Sequence, residues 1–154
     1  MEPNITDNLN PEEIETIIGK EFATKVIPLI KNAKRKIDIV VYNWYWYPDQ
    51  PACDIQKFNT AIVQAAHKNV QVRVLTNAIR PCNILVQNRV LAKQWLHRKN
   101  LHTKLMIIDN SIAIIGSHNY TMSAFTRNLE LSVIISGAKI MKKMDAYFDS
   151  LWQS

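Results

Sequence analysis

Apolar positions along the chain switch several times between helical and strand periodicity, and the switches divide it into elements. Phe22, Val26, Leu29 and Ile30 recur at helical spacing and predict a helix over about 21–35, with Pro28 as a kink point and Lys31, Lys34 and Arg35 in its last turns. Residues 37–44 form a β-rich run and predict a central strand. Asp54 caps a helix running to about His67, followed by an alternating strand at 70–75 and a loop from Thr76 to Asn83. A helix over about 84–98 leads into two alternating runs between His102 and Asn119, which read as a β-hairpin. After a polar loop at 120–127 come a strand at 128–135, Gly137, and a helix over 138–152. Ahead of all these, Pro11, Glu12, Glu13 and Glu15 suit the first turn of a short helix over 11–18, stopped by Gly19. Strands alternating with helices predict an α/β fold: a mixed, largely parallel central sheet flanked by helices on both faces. The expected organisation is an acidic leader at 1–21 and a single domain at 22–154.

The hairpin carries the chemistry. Strand side chains repeat every second residue, so His102 and Lys104 share a face about 6.6 Å apart, as do Ser117 and Asn119 on the return strand. With Asn110-Ser111 as a two-residue loop, Lys104 faces Ser117 and His102 faces Asn119. A one-residue slip brings in His118 instead. Leu105, Ile107 and Ile114 are then expected to point the other way, into a core. Imidazole, ammonium, hydroxyl and carboxamide on one patch suit an anionic tetrahedral group such as a phosphodiester.

His102-x-Lys104, four residues, Asp109, six residues, Gly116-Ser117-x-Asn119 resembles the HKD signature of the phospholipase D superfamily at every position. The resemblance runs over about 22–154 in element order and suits the single-motif members, among them small bacterial endonucleases. It implies a phospholipase D-like fold and a homodimer in which two copies of the motif meet at a two-fold axis. One His102 would then attack phosphorus and form a phosphohistidine, while the other would protonate the leaving oxygen and later activate water. Lys104 and Asn119 would hold the non-bridging oxygens, with Ser117 assisting and Gly116 allowing close backbone approach. Glu130 matches the downstream acid that holds the histidine ring in this family. Asp109 belongs to the signature, yet reads as a structural group near the turn. His118, in the variable slot, reads as a bystander. No metal and no cofactor is expected, because lysine, asparagine and histidine supply the charge stabilisation.

The net charge of +6 is unevenly spread. The first 21 residues hold six acids and one base, net −5, so the rest carries +11. Between Asp54 and Asp109 lie nine bases and no acid, a pattern that suits a polyanion and would also attract anionic lipid. Arg80, Arg89 and Lys93 from this stretch, together with Trp44 and Trp46, are candidate substrate-binding residues. The aromatic cluster Tyr45-Trp46-Tyr47-Pro48 that ends the strand suits stacking on bases, and equally suits hydrophobic cover or a subunit contact. Cys53 and Cys82 lack metal-type spacing and read as free thiols of a cytoplasmic protein. The beginning of the chain resembles neither a secretory signal nor a transit peptide, and no stretch approaches a membrane span. Three functions are carried forward: a metal-independent endonuclease, a phospholipase acting on an anionic lipid such as cardiolipin, and a nucleic-acid-binding module without turnover.

Overall fold

The computed structural model describes residues 14–154. In chain order the elements are β1 (Ile14–Ile18), α1 (Glu21–Lys31), β2 (Lys36–Val41), α2 (Asp54–His67), β3 (Gln71–Thr76), α3 (Ile79–Gln87), β4 (Leu91–Gln94), β5 (Leu105–Ile108), β6 (Ile112–Gly116), α4 (Met122–Thr126), β7 (Leu131–Ser136) and α5 (Ala138–Trp152). The seven strands form one sheet in the order β1-β7-β6-β5-β2-β3-β4. Strand alternation sorts the core into two layers. Ile37, Ile39, Val72, Val74, Met106 and Ile114 pack beneath α1, α2 and α4. Val40, Leu75, Leu105, Ile107 and Ala113 face Met141 and Phe148 of α5. Helices therefore cover both faces, as expected of the alternation.

The pairing is less parallel than expected. Among the described residues, the strand pairings β2–β3 and β3–β4 are parallel and the other four are antiparallel. The cause lies in residues 84–98, which do not form one helix. Pro81 sits in the first turn of α3, where its missing N–H costs nothing. The helix ends at Gln87, Arg89 turns with φ 67°, and residues 91–94 join the sheet as β4. A helical crossover would have started β5 at the amino ends of β2 and β3. Instead the chain leaves β4 at their carboxyl ends and enters β5 from that same end, so β5 runs antiparallel to β2.

The expected helix at 11–18 is corrected at its described part: residues 14–18 form edge strand β1, paired with β7, and residues 11–13 lie outside the described residues. Ile17 explains the preference, since pairing buries it completely beneath the α1 layer. The helix α1 stops at Lys31 rather than at 35, because the backbone N–H groups of Lys34, Arg35 and Lys36 are committed to the carboxylate of Asp109. The carboxylate of Asp38 is fully buried and is held by Nε and Nη2 of Arg73 at 2.7 and 2.8 Å. Arg73 also reaches Asp149 and lies over Phe148, pinning α5 to the sheet. Because Asp38 is fully buried, removing Arg73 would strip a buried charge of both guanidinium hydrogen bonds, which makes the pair costly to break from that side.

Candidate active site

Topology alone brings the signature together. Tyr42 and Asn43 follow β2, His102 and Lys104 precede β5, Ser117 follows β6, and Glu130 precedes β7. In the observed pairings these four strand ends all fall on one edge of four adjacent strands. This is the carboxyl end of the parallel strands β2 and β3, where open α/β sheets place ligands.

The hairpin register differs from the expected one by a single residue. Leu105 pairs with Ile115 and Met106 with Ile114, which places Lys104 level with Gly116. Asp109 and Asn110, both at φ 53°, make the turn, and Ser111 N donates to Ile108 O at 3.0 Å. Ile114 consequently joins Met106 on the α1–α2 side, opposite Leu105 and Ile107. The site survives the slip because the chain leaves the ladder after Gly116. Ser117 N still bonds Leu131 O of β7, whereas Tyr120 N bonds Asn43 O beyond β2. Residues 117–120 therefore cross the end of β5 and carry Asn119 to the histidine's side of the hairpin.

Each side chain then has defined partners. The amine of Lys104 lies 3.1 Å from His102 Nδ1 and donates to the carbonyl of His102 at 3.0 Å. An ammonium has only donors, so the ring nitrogen facing it accepts. Burial lowers the Lys104 pKa, opposed by the carboxylate of Glu130. The exposed His102 ring rests on Tyr42, with centroids 5.4 Å apart. Asn119 Oδ1 accepts from Asn43 N at 3.0 Å. A backbone N–H can meet only the carboxamide oxygen, so the Nδ2 donors of Asn119 are left for a ligand.

Glu130 is held by Ser117 and Asn128. Ser117 Oγ donates to one carboxylate oxygen, Asn128 Nδ2 donates to the other at 3.1 Å, and Leu131 N closes the loop by donating to Ser117 Oγ at 3.0 Å. The expected hydrogen bond from the His102 ring to the Glu130 carboxylate is absent among the described residues; the ring nitrogens meet Lys104 instead. Ser117 thus orients Glu130, its hydroxyl hydrogen directed at the carboxylate. Ile18, Gly19, Leu129 and Leu131 complete an open cleft of about 460 Å³ beside this pair.

Asp109 is not part of the site. It stands at the opposite end of β5, where Oδ1 accepts from Arg35 N and Lys36 N, and Oδ2 from Lys34 N, at 2.7–3.0 Å. Burial would raise its pKa, but the three N–H donors and the nearby Arg35 charge hold it below the ordinary value. Its role is to clamp the hairpin turn to the α1–β2 junction.

The substrate-binding candidates divide. Exposed Arg80, in the first turn of α3 after β3, lies at the site edge. Arg89 precedes β4 and so lies at the opposite edge. Lys93 is also removed from the site: its amine donates to Trp152 O at 3.0 Å and sits 4.1 Å from the Trp152 ring centre, on the α5 side. Trp44 is 1% exposed, its Nε1 donating to Asn59 Oδ1, so it is core rather than a stacking platform. Trp46 is half-buried against it. Tyr45, between them, is 56% exposed at the site edge. Sequence reasoning missed Tyr42 and the anchoring role of Asn43; a signal was present, since both lie at the carboxyl end of the strand predicted over 37–44, which in the structure stops at Val41.

Among the described residues, no three His, Cys, Asp or Glu side chains converge as metal ligands would, and no helix is long and apolar enough to cross a membrane. Cys53 and Cys82 are free thiols.

The site thus consists of a histidine-bearing and lysine-bearing loop and an anchored asparagine at the carboxyl edge of the parallel strands of a mixed sheet. The family model described as "Cardiolipin synthase, PLD-like domain" matches residues 26–152, and the chain belongs to this phospholipase D-like family. Among curated relatives, it is 27% identical over 134 residues to the probable cardiolipin synthase YwiE of Bacillus subtilis, covering 79% of this chain and 25% of that one. It is 23% identical over 135 residues to the mitochondrial cardiolipin hydrolase of Chlamydomonas reinhardtii, covering 84% and 56%. The chain thus spans only a quarter to a little over half the length of these two. Its fold resembles Nuc from Salmonella typhimurium, a phospholipase D family member, with a TM-score of 0.76 at 21% identity over 92% of this chain and 95% of that one. NucT from Helicobacter pylori gives 0.72 at 18% identity, covering 92% and 96%.

Proposed function

We propose that the protein is a phosphodiesterase that cleaves nucleic-acid backbones as an endonuclease, through a covalent phosphohistidine and without a metal ion. The observation that carries this reading is the contact of Lys104 with an exposed His102 whose ring rests on Tyr42, next to Asn43, which anchors Asn119 through its side-chain oxygen. A cation and an amide fixed next to an imidazole are the groups needed to hold non-bridging oxygens while nitrogen attacks phosphorus. An N–P bond forms as the P–O ester bond breaks, and the leaving oxygen takes a proton. Water then attacks phosphorus, giving up its proton as the N–P bond breaks, and His102 is restored.

One chain holds one such histidine, so the acid that protonates the leaving oxygen is assigned to His102 of a second copy across a two-fold axis. An apolar surface beside the site supports such a dimer. Ile14, Ile18 and Leu131 share the α5-side face of β1 and β7 and are 43%, 60% and 56% exposed, and Leu129 is fully exposed next to Glu130. Apolar residues grouped in this way mark interaction surfaces.

The nucleic-acid substrate is favoured by exposed Arg80, Arg98 and Lys99 at the site edge. A second reading, hydrolysis of an anionic phospholipid such as cardiolipin, is favoured by the names of the curated relatives. Purified protein in excess EDTA, tested on single-stranded DNA, duplex DNA, RNA and cardiolipin vesicles, separates the two. Oligonucleotide cleavage supports the first. Release of phosphatidic acid with oligonucleotides intact overturns it in favour of the second, and loss of all activity on chelation rejects the metal-free mechanism.

A further inference from the structure

His118 stands between two site residues but faces the opposite way. It is 1% exposed, packed at 4.6 Å from the Phe22 ring centre. Its Nε2 lies 2.9 Å from the carbonyl oxygen of Gly19, and its Nδ1 lies 2.7 Å from Ser132 Oγ. A carbonyl can only accept, so Nε2 carries the proton and Nδ1 takes the Ser132 hydroxyl hydrogen. The Gly19 peptide is gripped from both sides, because Gly19 N donates to Glu130 O at 3.0 Å. One ring therefore links the β1–α1 turn, the backbone that presents Ser117 and Asn119, and the strand that presents Glu130.

We propose that His118 is a positioning residue: its Nε2–H, anchored on Gly19 O, sets where Ser117, Asn119 and Glu130 stand relative to His102. Gly116 belongs to the same device. A β-carbon there would overlap Ser132 Oγ and Ser132 Cα, so only glycine lets Ser132 come close enough to reach the ring. The charged group facing His118 is Glu130, whose carboxylate favours the protonated ring while burial opposes it more strongly. The ring stays neutral and keeps one tautomer, as a fixed spacer requires.

This inference rests on the phosphodiesterase reading, and the experiment separates the two. His118→Gln keeps a donor where Nε2 stands, and His118→Asn keeps an acceptor where Nδ1 stands. On a phosphodiester substrate that the wild type cleaves, the Gln variant is expected within about fivefold of wild-type kcat. The Asn variant is expected to lose kcat by 10- to 100-fold with KM little changed, the order of loss a displaced reacting group gives. Equal kcat in both variants, or loss in the Gln variant despite a wild-type melting temperature, overturns the proposal. Where the Asn variant does not fold, the Gln variant decides. Inactivity of the wild type on every phosphodiester would sink the phosphodiesterase reading instead, and nitrogen-15 NMR of His118 then decides: an Nε2–H ring with unprotonated Nδ1 supports the anchor, an Nδ1–H or doubly protonated ring at neutral pH overturns it.

Discussion

Lys104 Nζ lies 3.1 Å from His102 Nδ1, with Tyr42 beneath both side chains. The cation thus stands against the ring that is proposed to attack. Because burial lowers the Lys104 pKa, the charge needed to hold phosphate is lost as pH rises through a value below the ordinary 10.5 for lysine. Activity should fall on that alkaline side. Lys104→Arg, which keeps its charge, should move or remove the alkaline limb in a pH–kcat profile, and an unchanged limb would assign it elsewhere.

Asn119 offers a cleaner separation of fold from chemistry. Asn119→Asp retains an oxygen for Asn43 N and replaces the free donors with a carboxylate. The variant should melt close to the wild type while kcat/KM falls by roughly 10²–10³, the range for removing a fixed donor from developing charge. Near-normal turnover would remove Asn119 from the site.

Asp109 should show the opposite behaviour. Asp109→Ala strips three backbone N–H groups of their acceptor and should cost about 1–3 kcal/mol of stability, with kcat of the folded enzyme within about twofold. Since the folded-state pKa is depressed, the stabilisation is full above the unfolded value of about 4 and lost as pH falls below it. Denaturant unfolding from pH 7 to pH 3 should therefore find wild type and variant converging at the acid end.

His118 contributes a second acid-sensitive step. Its lowered pKa keeps the folded ring neutral where the unfolded ring takes a proton, so stability falls as pH drops below about 6.5 and levels off once the folded ring also titrates. His118→Gln should flatten that part of the stability profile.

The basic residues divide by location. Charge reversal at Arg80 should weaken oligonucleotide binding and shallow its salt dependence, as losing a phosphate contact does. The same change at Arg89, at the far edge, should leave both within about twofold.

The signature was legible in the sequence because its spacing is local, although His102, Lys104, Ser117 and Asn119 lie just beyond the ends of β5 and β6 rather than on alternating strand positions. The helices at 54–67 and 138–152 were equally plain, since their apolar stripes are unbroken. What failed was non-local. Residues 91–94 join the sheet because an edge beside β3 is available to them, and residues 14–18 because β7 offers another. No window of sequence contains either fact. The hairpin register depended on whether Asp109 or Ser111 would adopt positive φ, and Asp109 takes it while its carboxylate binds the chain about 75 residues earlier. Trp44 was misplaced for a similar reason, as its burial requires Asn59 of α2 to satisfy the indole N–H.

The central claim is that His102 forms a bond to phosphorus. Rapid quenching of the wild type with a ³²P-labelled phosphodiester in excess EDTA, followed by peptide mapping, should recover acid-labile label on His102, and none in His102→Ala. Turnover with no label on His102, or label retained in the Ala variant, would contradict it.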